Sequence, residues 1–159
     1  FLLMLGLSVF LMVPVASAFT GLFLEDIADA VEVRHYPGLP PATPLRLADS
    51  LIDSLNFLGL LLAANVLALV FYVFSGPFAP LLFWGLNGWL LGREYFTLVA
   101  MRRVGRAAAK NLRGQHAGRI WLAGTLMAAP LSIPLVNLAV PVLGVATFTH
   151  LFHAMTAGR

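Results

Sequence analysis

Three asparagines, Asn65, Asn87 and Asn137, stand in otherwise apolar stretches. A side-chain amide in such surroundings either hydrogen-bonds a neighbouring helix, for about 0.6–2 kcal/mol, or lines a polar path for a solute. Arg93 and Glu94 close a long uncharged run and precede Tyr95 and Phe96. That order suits an interfacial anchor with its aromatic belt. Turned inward, Arg93 would attract an anion, since an ionisable group inside a membrane is costly and commonly functional. His150 and His153 are three apart and share a helix face. No nearby Cys or acid completes a metal-ligand set, so they read as interfacial histidines. Asp26, Asp29 and Glu32 read as a solvated acidic face rather than a cation site. No nucleophile–base pair, phosphate loop or zinc-binding helix motif occurs. The expectation is a protein that is not an enzyme, with no catalytic residue, no metal site and no cofactor. Helix N-termini after Pro77, Pro134 and Pro141 would offer free N–H groups which, aimed at one cavity, favour an anion.

The elements that hold such groups must be helices in lipid. Of 159 residues, 60% are hydrophobic and 11% charged, against about 25% charged in a soluble domain. That leaves too little polar surface for a soluble globule and too much apolar residue for disorder. A mean hydropathy of +0.88 agrees. Cysteine is absent, which removes disulfide frameworks and thiolate sites. The chain opens at Phe1 inside an apolar run and is expected to be a piece of a longer protein.

Five segments follow in order. Residues 1–36 read as a transmembrane helix with a cytosolic extension. The uncharged part, Phe1 to Leu24, is longer than the hydrocarbon core of about 30 Å at about 1.5 Å per residue. Ala16-Ser17-Ala18 resembles a signal-cleavage site, but no basic segment precedes it and the apolar run continues past it. Pro14 is expected to kink this helix. Residues 37–53 form a Pro-rich connector and an interfacial helix: Pro37-Gly38 stops the first helix, and Pro40, Pro41 and Pro44 stiffen the connector. An amphipathic lead-in follows, with Leu47, Ala48, Leu51, Ile52 and Leu55 at helical spacing.

Residues 54–98 read as a first helical hairpin. They carry no charge from Ser54 to Gly92 and are broken by Ser75-Gly76-Pro77 and Pro80. Gly85, Gly88 and Gly92 stripe its second arm, a pattern that lets helix backbones approach, within one chain or in a homo-oligomer. Residues 99–119 are a basic segment with Arg102, Arg103, Arg106, Lys110, Arg113 and Arg119. They read as a cytoplasmic face by the positive-inside rule, touching anionic lipid heads. No aromatic interleaving or base-reading module is present, so nucleic acid is not an expected partner. Residues 120–159 read as a second, Pro-rich hairpin. Its first arm, Ile120 to Ile133, spans only about 21 Å.

Charge is confined to the stretch from Glu25 to Asp53, the stretch from Arg93 to Arg119, and Arg159. Both proposed hairpin tips are uncharged, so all charge is assignable to one membrane face. An apolar, Pro-rich tip suits a hairpin that enters the bilayer and returns without crossing. The expected fold is an all-α integral membrane helical bundle with spanning helices and at least one re-entrant hairpin.

The tail Ile133-Pro-Leu-Val-Asn-Leu-Ala-Val-Pro-Val-Leu-Gly-Val-Ala-Thr-Phe-Thr-His-Leu-Phe152 resembles the C-terminal signature of the bacterial sulfate permease CysZ family, which includes the eukaryotic etoposide-induced membrane protein. Gly21-Leu-Phe-Leu-Glu-Asp26 and Leu91-Leu-Gly-Arg-Glu-Tyr-Phe96 fit in the same order. The resemblance implies a multi-pass protein of the bacterial inner membrane, with long spanning helices and partly inserted hairpins. It also implies sulfate uptake feeding cysteine synthesis. The family's Gly- and Arg-containing sulfate motif belongs upstream of this stretch, so no sulfate-binding residue carries over. The expected function is a permease or channel for sulfate or a similar small anion, with Asn65, Asn87 and Asn137 lining the path and Arg93 supplying positive potential. Membrane lipid and the small anion are the expected partners. The alternative is a structural or assembly membrane protein without transport activity.

Overall fold

The computed structural model describes residues 21, 23–43, 47–133, 136 and 139–157. The opening apolar run through residue 20 lies outside them, as do Pro134 and Asn137. Every regular element among the described residues is helical: α1 (23–35), α2 (Leu47–Ser75), a 3-10 turn (Gly76–Phe78), α3 (Ala79–Gln115), α4 (Ala117–Ala128), a second 3-10 turn (Ala129–Ser132) and α5 (Val140–Thr156). The expected all-α class is the one observed.

α3 is not one rod. Gly105 has φ 76° and ψ 169°, a region essentially closed to residues with a Cβ, and the chain reverses there. Arg113 beyond the break hydrogen-bonds Thr97 before it. Ile120 packs on Gly92, and Thr125 packs on Gly88. These are successive rungs of an antiparallel hairpin centred on Gly105, with arms 79–104 and 106–128. The second arm passes from α3 into α4 without losing its ladder. His116 N–H donates to Leu112 O and Ile120 N–H donates to His116 O, both at 3.0 Å.

The arms meet backbone to backbone. A Cβ on Gly88 would lie 2.5 Å from Thr125 Cα, and one on Gly92 would lie 2.5 Å from Ile120 O. Small residues permit this approach, which is how helices associate where no water drives burial. Trp121 Nε1–H adds a 2.9 Å hydrogen bond to Gly85 O across the same crossing. The glycine stripe is thus occupied inside the chain.

α2 folds back along α3. Arg106 pairs with Asp53 at 2.5 Å, which is possible only if the chain reverses across Gly76–Phe78. The reversal leaves few unpaired donors. Pro77 and Pro80 have no N–H, Ser75 Oγ–H donates to Phe71 O at 2.6 Å, and Ala79 N–H donates to Gly76 O. The two arms are sparsely packed, however. Ala68 is buried, but Leu62 is 57% and Phe74 84% exposed. Apolar surface on that scale must be covered by lipid or protein. Ile52–Gln115 is the helical run among the described residues long and apolar enough to cross a membrane. It is bent at Gly76–Phe78 and at Gly105.

A buried apolar cluster forms where α1, α5 and the charged end of α3 meet. Leu24 and Ala28 of α1 join Phe96, Val99 and Ala100 of α3 and Val145, Phe148 and Phe152 of α5. Tyr95 stacks on Phe148 with ring centroids 6.1 Å apart. Phe96 and Phe148 are fully buried, each stabilising by about 1.5–3 kcal/mol where the alternative is exposure to water.

Candidate functional site

The buried stripe of α1 is Leu24, Ala28 and Glu32, spaced four apart and so on one face. Two members are apolar and the third is a carboxylate, 3% exposed. This corrects the reading of Glu32 as part of a solvated acidic face. Asp26 and Asp29 do remain exposed, but Glu32 continues the line of Ala28 and enters the junction with α3 and α5.

Its partners come from both elements. Arg103 forks onto it, with Nε–H donating to Oε1 at 2.8 Å and Nη2–H donating to Oε2 at 2.5 Å. His153 Nε2 lies 2.9 Å from Oε1. Arg102 Nη1 is 3.7 Å from Oε2, while Arg102 Nη2 pairs with Asp29. Arg102 and Arg103, adjacent on α3, thus both reach α1. Burial pushes the Glu32 carboxyl up, but the hydrogen bonds from Arg103 and His153 and the charge of Arg102 outweigh it and hold the group below its ordinary value.

The connector after α1 is tied to the same place. Arg103 Nη1–H donates to Pro40 O at 2.5 Å, and Thr43 N–H donates to Arg102 O at 3.1 Å. Tyr36 Oη and His150 Nδ1 are hydrogen-bonded at 2.9 Å, and the Tyr36 ring lies over His153 with centroids 4.2 Å apart. His150 and His153 therefore face the C-terminal end of α1. One buried guanidinium, Arg102, one partly buried, Arg103, and an imidazole converging on one point form a donor set suited to an oxyanion.

Residues 1–141 match the family described as Sulfate transporter CysZ/Etoposide-induced protein 2.4. The chain belongs to this family. It is therefore a membrane protein related to sulfate transporters. No curated protein and no solved structure matches the chain. The family match takes in α1 to α4 and ends at the second residue of α5. His150 and His153 lie beyond it, as does most of the tail that carries the sequence resemblance.

The other sequence-derived residues of this family member fall elsewhere. Glu94 lies within electrostatic reach of Arg93, Asp53 and Arg113. Thr97 Oγ1 links two of these, accepting from Arg113 Nη1 at 2.8 Å and donating to Arg93 O at 2.6 Å. Of the basic residues, Arg106, Lys110 and Arg119 are exposed, Arg113 is half-buried, and Arg102 is buried in the α1 junction. The Asn65 and Asn87 amides donate to Leu61 O and Phe83 O, each at 2.8 Å. Both bonds are within their own helices rather than between helices, because the i−4 carbonyl is the nearest acceptor in apolar surroundings. Asn137 lies outside the described residues. No cluster of metal-ligating side chains occurs among the described residues.

Neither Glu32 nor His153 was identifiable as a site residue from composition. The available signal was the four-residue spacing from Leu24 through Ala28 to Glu32. It puts an acid on an apolar face, and a buried acid demands a buried base.

Proposed function

We propose that this chain is a CysZ-like permease or channel of the bacterial inner membrane for sulfate or a similar small anion, supplying sulfur assimilation. The observation that carries the reading is the match of residues 1–141 to the family of sulfate transporter CysZ and etoposide-induced protein 2.4. The geometry supports it. Five arginines of α3 gather at the end of a long uncharged hairpin, three of them paired with Asp29, Glu32 and Asp53, and guanidiniums are the donors best matched to an oxyanion. The deciding experiment is sulfate flux into liposomes containing the full-length protein, competed by unlabelled sulfate. Flux no greater than in empty liposomes overturns the reading.

The second hairpin is re-entrant in this proposal. α5, at 17 residues, extends about 25 Å, short of a hydrocarbon core of about 30 Å. Cysteines placed by Ser132→Cys and Asn137→Cys are expected to resist an impermeant thiol reagent added from outside. Ready labelling would show a full crossing instead. A second reading, a structural or assembly protein without transport, draws on the nearly bare surface of α2. It predicts stable partner chains on co-purification and no stabilisation by sulfate.

A further inference from the structure

The site around Glu32 holds more donors than a carboxylate satisfies. Oε1 accepts from Arg103 Nε and His153 Nε2, and Oε2 accepts from Arg103 Nη2. Arg102 Nη1 is buried and has no hydrogen-bond partner, standing 3.7 Å from Oε2. A buried N–H left in this state costs about 1–3 kcal/mol or more when charged. The surroundings are dry, with side-chain exposures of 2% for Arg102, 12% for Arg103, 3% for Glu32 and 10% for His153. Charge-assisted hydrogen bonds are strongest in such a place.

We propose that Arg102, Arg103 and His153 form an oxyanion-binding cradle, and that Glu32 occupies it as a built-in surrogate for a free anion. A guanidinium fork accepts two oxygens of a sulfate as it accepts two of a carboxylate. A tetrahedral oxyanion brings further oxygens, and one of these reaches the donor that Glu32 leaves unused. When Glu32 withdraws, the two guanidiniums face Asp29 alone, and the vacated cradle is net positive.

Glu32 belongs to α1, whereas the cradle belongs to α3 and α5. An anion entering the cradle thus competes with the contact that pins α1 to the rest of the bundle. Occupancy and the position of α1 become linked, because the ligand favours the state in which Glu32 has left. The choice of sulfate as the anion rests on the transport reading; the cradle itself rests on the donor geometry.

The test is the thermal unfolding midpoint of the full-length protein in detergent, titrated with sodium sulfate and, at equal ionic strength, with sodium chloride. Glu32→Ala is expected to lower the sulfate concentration needed for half-maximal stabilisation about tenfold or more relative to wild type, since a competing charge-assisted pair has gone. Chloride should not reproduce this, and adding Arg102→Gln to Glu32→Ala should reverse the gain. Equal sulfate responses in wild type and Glu32→Ala overturn the proposal. If Glu32→Ala is not recovered in chloride, Glu32→Gln carries the same titration, and both variants are also extracted in sulfate. Failure of sulfate to rescue either variant again overturns the cradle. Liposome flux separates the two proposals. A tighter sulfate response without flux leaves the cradle standing and removes transport, whereas flux without the tighter response removes the cradle alone.

Discussion

Gly124→Ala tests the helix crossing at its tightest point. A Cβ there would overlap the Gly88 carbonyl oxygen and would lie 2.7 Å from Gly92 N and 2.9 Å from Gly92 Cα. All three atoms are backbone, so no rotamer change relieves the contact. Ordinary contact begins at 3.4 Å, so the helices must part by about 0.7 Å at the nitrogen alone and further at the oxygen. Overpacking of this kind costs about 1–3 kcal/mol. For a chain of this length each kcal/mol lowers Tm by about 2–4 °C, which places the expected loss at about 2–12 °C. The control is Gly114→Ala on the same arm, where an added Cβ meets nothing within 4 Å. It should be neutral or raise stability by up to about 1 kcal/mol, the helix-propensity gain of Ala over Gly. Differential scanning fluorimetry of both variants in one detergent makes the comparison. If Gly124→Ala melts with Gly114→Ala, the two arms do not cross backbone to backbone and the hairpin centred on Gly105 is wrong.

Gly105→Ala should destabilise by about 1–3 kcal/mol, the cost of forcing a Cβ into its backbone conformation, read as a lower Tm against the same Gly114→Ala control. Acid should expose the Glu32 pairing. Its carboxyl is held low in the folded protein, so its contribution is complete above the unfolded value of about pH 4.3 and is lost as pH falls through the lower folded value. Tm of the wild type should therefore fall more steeply below that point than Tm of Glu32→Gln, and parallel profiles would contradict the pairing. The Arg106–Asp53 pair, 45% and 28% exposed, should contribute only about 0–1 kcal/mol in a double-mutant cycle. A coupling well above this would mean that α2 is held to α3 more firmly than its sparse packing implies.

The all-helical class and the family were legible in the sequence for physical reasons. Uncharged runs of bilayer length admit only helices or closed barrels, and the motif Leu91-Leu-Gly-Arg-Glu-Tyr-Phe96 lies inside the stretch that matches the family. Gly105 was harder to read. It sits between Arg103 and Arg106 in a basic stretch with good helix formers on both sides, and a lone glycine in such a stretch does not announce a positive φ. The Glu32 site was hidden for another reason. Its members are separated by 71 residues from Glu32 to Arg103 and 121 from Glu32 to His153. Local spacing shows an acid on an apolar face, but only the packing of α1 against α3 and α5 shows which bases meet it.

Two modes of packing coexist in the bundle, and their distribution follows the charges. At the charged end α1, α3 and α5 bury large rings, Phe96, Phe148 and Phe152, around the Glu32 ion pairs. Burying such rings is strongly favourable only where the alternative is water. Toward the uncharged turns the large side chains point outward, as at Phe74 and Phe78. The close contacts there are made by Gly88, Gly92 and Gly124. That is the pattern expected where lipid is the competing solvent, because an exposed Phe costs nothing there and only close backbone contact gains energy. The same division explains the placement of the buried ions. A carboxylate, two guanidiniums and an imidazole are assembled at the charged end, where each finds a partner and α1 covers them. In the uncharged half, they would have to cross a medium in which each unpaired charge is prohibitive. The proposed anion cradle is thus confined to the charged end of the bundle, where α1 closes over it.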